Sequence, residues 1–251
     1  MANTVERFSN RVVNYVKYRP TYPPEVLRFF QNELNLQPDS VIADVGSGTG
    51  ISTKIFLENG NTVYGVEPNA AMRAAAEDFL KGFPNFRSVD GTSENTTLPA
   101  QSIDFVTAAQ AFHWFDAEKA RKEFKRISKP AAHVVLIWNE RQIDTNEFLR
   151  EYEKFLLQFG TDYAKVRHDY LPKEKLGDFF PNGFQRAAFK NSQIFDFEGL
   201  KGRVLSSSYM PSESDARYEE MTKSLHRIFT KHQENDRIAV LYDTNVYYGK
   251  L

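Results

Sequence analysis

The chain has 251 residues, 41% of them apolar and 21 of them Phe, which suits one large α/β domain or two small ones with a sizeable core. Its formal charge is −1, so no overall bias points to nucleic acid or to an anionic membrane surface. There are no cysteines, which excludes disulfides, thiolate metal sites and cysteine nucleophiles together and fits a reducing compartment. The opening residues lack a basic segment followed by a continuous apolar run, and apolar stretches such as Val134 to Trp138 fall far short of a bilayer span. The expectation is a soluble, cytoplasmic chain with neither signal peptide nor membrane segment.

No internal repeat, low-complexity tract or linker-like shift in composition interrupts the sequence, so residues 1–251 read as a single domain. Val12 to Val16 and Pro24 to Leu36 pattern as amphipathic helices, the second with Val26, Phe29, Phe30 and Leu34 on one face. Val41 to Val45 is a buried strand and Gly50 to Asn59 a helix; Thr62 to Val66 and Ala70 to Lys81 repeat that pair. Phe86 to Val89 is a short strand, and Ile103 to Ala108 and His133 to Trp138 are strands separated by a charged helix from Ala117 to Ser128. This alternation predicts a mostly parallel sheet with helices on both faces. Farther on come a helix from Glu147 to Phe159, a poorly patterned stretch to about Gly183, and a strand over Arg186 to Phe195. A helix over about Asp215 to His232 and a strand over Arg237 to Tyr248 close the chain, the last two strands forming an antiparallel edge.

Asp44-Val45-Gly46-Ser47-Gly48-Thr49-Gly50 stands where the first strand passes into a helix. A ligand there needs glycines, because a Cβ blocks close approach of the backbone, and the helix start offers N–H groups and a positive dipole end. The dinucleotide fingerprint G-x-G-x-x-G would require a third glycine where Ile51 stands, so the spacing is G-x-G-x-G. A plain glycine turn and another kind of nucleotide site are the rival readings. Glu67, 17 residues after Gly50, closes the second strand; a carboxylate there can accept both ribose hydroxyls of an adenosine, or simply be a helix-start acid.

The loop with Asp44 two residues ahead of it resembles motif I of class I methyltransferases that use S-adenosylmethionine (SAM), within a seven-stranded Rossmann-like sheet. The resemblance implies that Asp44 lies near the amino-acid end of SAM, that Gly46, Ser47, Gly48 and Gly50 cradle the cofactor, that Glu67 takes the ribose and that Met72 lines the adenine pocket. Val89 to Glu94 is similar to the family's adenine-binding segment but has Thr92 where an Asp is usual, leaving recognition to Ser93 first, or to Asp90 or Glu94. Ile103 to Phe115 resembles the A-x-A-x-H-W run of type 11 small-molecule methyltransferases, which puts Gln110 and His113 beside SAM or its acceptor. Tyr15 to Pro23 resembles a Y-x-x-x-R-P-x-Y-P lid segment, in which Tyr18 would pack near the sulfonium and Arg19 pair with the methionine carboxylate; a helix end tucked against the sheet is the other reading. The resemblance covers Tyr15 to Arg141, so the scheme is a helical lid over 1–36, a cofactor-binding core over 41–140 and acceptor-pocket elements with the last strands over 141–251.

Five histidines stand at 113, 133, 168, 226 and 232, none at metal-ligand spacing, so no metal is expected; only His113 falls by the ligand crevice, as an acceptor-binding or catalytic group or as packing. Lys119, Arg121, Lys122, Lys125, Arg126 and Lys129 make a basic helix, read as a solvated face in preference to an RNA-binding stripe. No G-x-S-x-G elbow marks a serine hydrolase. The sequence therefore points to a methyltransferase acting on a small-molecule acceptor, with SAM as cofactor and no nucleic-acid partner. A non-catalytic binder of SAM or S-adenosylhomocysteine and a nicotinamide-dependent oxidoreductase are the alternatives.

Overall fold

The first four parallel strands begin where the sequence places them. The computed structural model describes residues 17–161, 163 and 173–251, and the expected helix over Val12 to Val16 lies outside them. In chain order the elements are α1 (Pro24–Glu33), β1 (Val41–Val45), α2 (Ile51–Glu58), β2 (Thr62–Val66), α3 (Ala70–Phe79), β3 (Phe86–Val89), β4 (Ile103–Ala109), a 3-10 turn (Phe112–Trp114), α4 (Ala117–Ile127), β5 (Ser128–Arg141), α5 (Glu147–Phe159), α6 (Lys173–Phe179), β6 (Gln185–Phe195), α7 (Phe197–Leu205), α8 (Tyr218–His232) and β7 (Ile238–Gly249).

Seven strands form one sheet in the order β3-β2-β1-β4-β5-β7-β6. β1 pairs in parallel with both β2 and β4, and β4 in parallel with β5. The chain thus runs outward through β2 and β3 and returns to the far side of β1. This reversal is the switch point at which doubly wound sheets open a crevice beyond their strand ends. β7 runs antiparallel to both neighbours. Toward β5, Thr244 meets Asn139 and Leu241 meets Gln142; toward β6, Tyr248 meets Gln185 and Asp243 meets Lys190. The antiparallel strand is therefore one place in from the edge, with β6 outside it.

The chain divides into two compact units, and three of the divisions fall within β5, β6 and β7. Unit 2 comprises the described parts of 21–139, 170–189 and 244–251. Here adjacent residues on each strand serve opposite faces, as the period of two requires. Ile42, Phe105, Val135 and Ile137 join Phe30 of α1 and Phe56 of α2, whereas Ala43, Val106, Leu136 and Trp138 join Phe124 of α4 and Phe179 of α6. Unit 1 comprises the described parts of 1–20, 140–169 and 190–243. Its core gathers Phe155 and Phe159 of α5, Leu200 and Val204 of α7, Leu225 and Phe229 of α8, and Val240 and Tyr242 of β7.

Several boundaries differ from the sequence reading. β5 is longer than the expected strand over His133 to Trp138, beginning directly after α4. Lys129 and Pro130 disguise its start, and a register irregularity lies at Ile103 and Phe105. Pro24–Glu33 and Ala70–Phe79 end short of expectation, and α8 begins at Tyr218. Two helices went unread, α6 in the stretch taken as unpatterned and α7 ahead of Ser206. In α7 Gly199 and Gly202 break the apolar period. The reason for Gly202 is tertiary, since a Cβ there would lie 2.2 Å from the Tyr18 ring.

Candidate cofactor site at the switch point

The three glycines of the loop all have positive φ: +71° at Gly46, +56° at Gly48 and +84° at Gly50. Their surroundings separate them. A Cβ on Gly46 would lie 2.5 Å from that of Ala111, and one on Gly50 would lie 2.6 Å from Leu80 Cδ1. A Cβ on Gly48 would meet nothing within 4 Å. The outer glycines are thus demanded by the protein's own packing, and Gly48 leaves a bare backbone facing open space. That is the cradle a cofactor needs, so the residues present fit one.

The loop is fastened to β2. Gly46 N and Ser47 N both donate to Val66 O, and Gly50 N donates to Ser47 O. Glu67 follows β2, and its carboxylate accepts Gly48 N at 3.0 Å on one oxygen and Asn69 N at 2.9 Å on the other. Each oxygen keeps a further lone pair for a hydroxyl donor. Burial raises the Glu67 pKa above the ordinary carboxylate value, against the two amide hydrogen bonds and the nearby Arg73. Glu67 is therefore a partly enclosed, oriented acceptor joined to the bare glycine by a hydrogen bond.

Asp44 sits differently. It is fully buried, with one oxygen accepting from Ser52 and Thr53 at 2.7 Å each and the other from Thr107 at 3.1 Å. Burial raises its pKa, while the three hydroxyl hydrogen bonds act in the opposite direction. The carboxylate thereby ties β1, the first turn of α2 and β4 together.

Met72 is buried in the first turn of α3, where Asn69 Oδ1 accepts from Ala71 N and Met72 N. Ser93 is buried and donates to Glu94 at 2.7 Å, and the same Glu94 oxygen accepts Asp116 N. Partial burial opposes ionisation of Glu94, but hydrogen bonds from Ser93 and the Asp116 amide outweigh it and hold the carboxyl below its usual range. Asp90, the alternative adenine contact, is instead bound by both terminal nitrogens of Arg73, which also donates to Glu67 O. Thr96 anchors this segment through Glu123 of α4, which accepts both its amide and its hydroxyl.

Gln110 follows β4 at φ +56° and donates to Asn139 O at 2.9 Å. The His113 ring lies 4.4 Å from the Trp114 ring and 5.2 Å, edge to face, from that of buried Trp138. Lys175 of α6 donates to Phe112 O, and burial lowers its pKa. Tyr18 and Arg19 belong to unit 1. There Gln193 donates to Tyr18 O and Arg19 to Ser206 O.

Sequence reading missed Ser52, Thr53, Thr107, Arg73, Thr96 and Glu123. Only the helix-start hydroxyls and the Asn69 cap had a local signal, since the others act through partners distant in sequence. Of the other histidines, His133 stacks on Phe105, His226 meets Phe197 edge to face, and His232 bonds Glu151; His168 lies outside the described residues. Among the described residues no group of three His, Cys, Asp or Glu could hold a metal, and no helix is long and apolar enough to cross a membrane. Of the basic residues, Lys119, Lys122 and Arg126 of α4 are each in ion pairs, with Asp116, Glu118 and Glu123, and Lys129, which the structure places in β5 and not on the helix, pairs with Asp104.

A switch point with a bare glycine and a carboxylate at the next strand end is the arrangement in which Rossmann-like folds hold nucleosides. The model of the methyltransferase domain matches residues 43–136, from β1 into β5. An uncharacterised methyltransferase of Geobacillus kaustophilus is 38% identical over 177 residues, covering 64% of this chain and 77% of the relative. A methyltransferase-like protein of Schizosaccharomyces pombe is 28% identical over 97% of this chain and 94% of its own length. Among solved structures, a candidate type II methyltransferase from Anaeromyxobacter dehalogenans shares the fold with a TM-score of 0.67 at 19% identity, covering 93% of this chain and 98% of that one. The chain belongs to the class I SAM-dependent methyltransferases of the type 11-like group.

Proposed function

We propose that this chain binds SAM in unit 2 and transfers its methyl group to a small-molecule acceptor. The observation that carries the reading is the pairing of Gly48 with Glu67, a half-buried backbone with open space where a side chain would stand, hydrogen-bonded to a carboxylate oriented by two amides. Gly46, Ser47, Gly48 and Gly50 would hold the cofactor along the loop. Glu67 would accept the ribose hydroxyls, and Met72, Ser93 and Glu94 would border the adenine. Asp44 holds the loop from beneath, and Gln110 and His113 stand at the end of β4, where the parallel strands of such a sheet present ligand.

The bound cofactor supplies a methyl group already activated by its sulfonium. The protein's remaining work is alignment of the acceptor and exclusion of water. A carboxylate acceptor needs no general base; a hydroxyl, amine or carbon acid would be served by one, and His113 is the side chain in reach of that role. Titration calorimetry with SAM, S-adenosylhomocysteine, NAD and NADP tests the reading. The first two should bind and the nicotinamides should give no heat; binding of NAD without the sulfonium pair would defeat it.

A further inference from the structure

Unit 1 holds three buried charged groups among its described residues, Arg141, Glu153 and Arg203. Two of them neutralise each other: Arg141 pairs with Glu153, and Tyr163 bonds both. Arg203, in the last turns of α7, is left over. The residue is 9% exposed, and its guanidinium's partners are neutral: Nη1 donates to Ser207 Oγ at 3.1 Å and Ser206 Oγ at 3.4 Å, and Nε to Tyr242 Oη at 3.4 Å. Among the described residues no carboxylate lies within ion-pair distance of it, and Nη2 donates to none of them. Burial pushes the nearby Tyr152 hydroxyl up to about 12, so that group supplies no negative charge at neutral pH.

Burying an uncompensated charge costs several kcal/mol, and buried charges are ordinarily paired. The hydroxyls around Arg203 supply lone pairs to its N–H groups but no negative charge. Tyr242 donates to Gln193 Oε1 at 2.9 Å and Ser206 to Arg203 O at 2.7 Å, so each offers the guanidinium only a lone pair. The arrangement is a fixed cation lined with hydroxyls, short by one anion.

We infer that unit 1 contains an internal anion subsite in which Arg203, flanked by Ser206, Ser207 and Tyr242, receives the carboxylate or phosphate group of a small molecule. A planar guanidinium suits both groups, with the unbonded Nη2 as its open edge. The subsite stands on its own geometry.

The test uses the full chain in a buffer free of carboxylate and phosphate, with succinate, citrate, benzoate and inorganic phosphate as probes. At least one probe should raise Tm and bind by calorimetry, and which one does separates carboxylate from phosphate. Arg203→Met should weaken that binding at least about tenfold, as expected for loss of charged hydrogen bonds, and Arg203→Lys should keep part of it. Without anion, Arg203→Met should be as stable as the parent or more so, since an apolar side chain of similar volume removes a buried charge. Failure of all four probes, binding undiminished in Arg203→Met, or a large loss of stability in that variant would each overturn the inference. SAM titration of the same proteins reads the cofactor site separately: normal SAM binding beside an absent anion response defeats the subsite and leaves the methyl-transfer reading standing.

Discussion

The loop glycines allow the fold's needs to be separated from the ligand's by a single added methyl group. Gly48→Ala places a Cβ where nothing lies within 4 Å, so its cost to the fold is the left-handed backbone alone, about 1 kcal/mol. Gly46→Ala carries the same backbone cost and drives its Cβ to 2.5 Å from that of buried Ala111. Overpacking of this kind adds roughly 1–3 kcal/mol, for a total of about 2–4 kcal/mol. At about 2–4 °C per kcal/mol for a chain of this size, Gly48→Ala should lower Tm by a few degrees and Gly46→Ala by about two to four times as much. Binding should move in the opposite order. The methyl of Gly48→Ala would occupy the space through which a cofactor approaches the backbone, and SAM affinity should fall at least about tenfold, a penalty of roughly 1.4 kcal/mol or more. Urea or thermal unfolding of the two variants, with SAM calorimetry on each, makes the comparison. SAM affinity within twofold of the parent in Gly48→Ala would refute the cradle argument. Equal stability of the two variants would refute the packing argument for Gly46.

Two further outcomes bear on the same site. Glu67→Ala should weaken SAM binding by up to about 1.5–3 kcal/mol for each ribose hydroxyl bonded to the charge, with the fold intact by circular dichroism; because burial raises the Glu67 pKa, parent affinity should also fall as pH drops toward that raised value, and the variant should lack this dependence. His113→Ala distinguishes three roles when calorimetry is combined with initial rates. A general base would lower kcat about 10²–10⁴-fold, an acceptor-positioning group would raise the acceptor KM with kcat held, and a cofactor contact would weaken SAM itself; unchanged values in all three would remove His113 from the site.

The parts legible in the sequence are those written in local code. β1, β2 and β4 announce themselves through β-branched residues, and the loop through its spacing, because a positive φ at Gly46, Gly48 and Gly50 admits little else. What stayed hidden depends on distant partners. Gly46 needs Ala111 to explain it, Gly202 needs Tyr18, and Arg73 joins the end of β2 to Asp90 after β3. α7 was masked by the two glycines that its packing demands, and the place of β7 between β5 and β6 follows from sheet order, which no local pattern records. Arg203 illustrates the same limit: its sequence neighbours are ordinary, and its lack of a counter-ion becomes visible only when α7 and β7 are placed.

Asp44 shows how the fold and the site depend on each other. An acid two residues before a glycine loop invites a role at the ligand, yet its carboxylate is wholly buried and already accepts three hydroxyls. Such a group is costly to bury, and the raised pKa records that cost. Its geometry shows what the cost secures. Ser52 and Thr53 lie in the first turn of α2, directly after the loop, and Thr107 lies in β4, three residues before Gln110. One carboxylate therefore fixes the start of the helix behind the loop against the strand that leads into Gln110 and His113. Were the clamp loosened, Gly48 would keep its bare backbone but lose its fixed position against those residues. Methyl transfer depends on alignment, so a displacement of an ångström at the loop would be felt as lost rate before it was felt as lost fold. Asp44 can thus matter to the chemistry without touching the ligand, by keeping the two strand ends of the switch point in register.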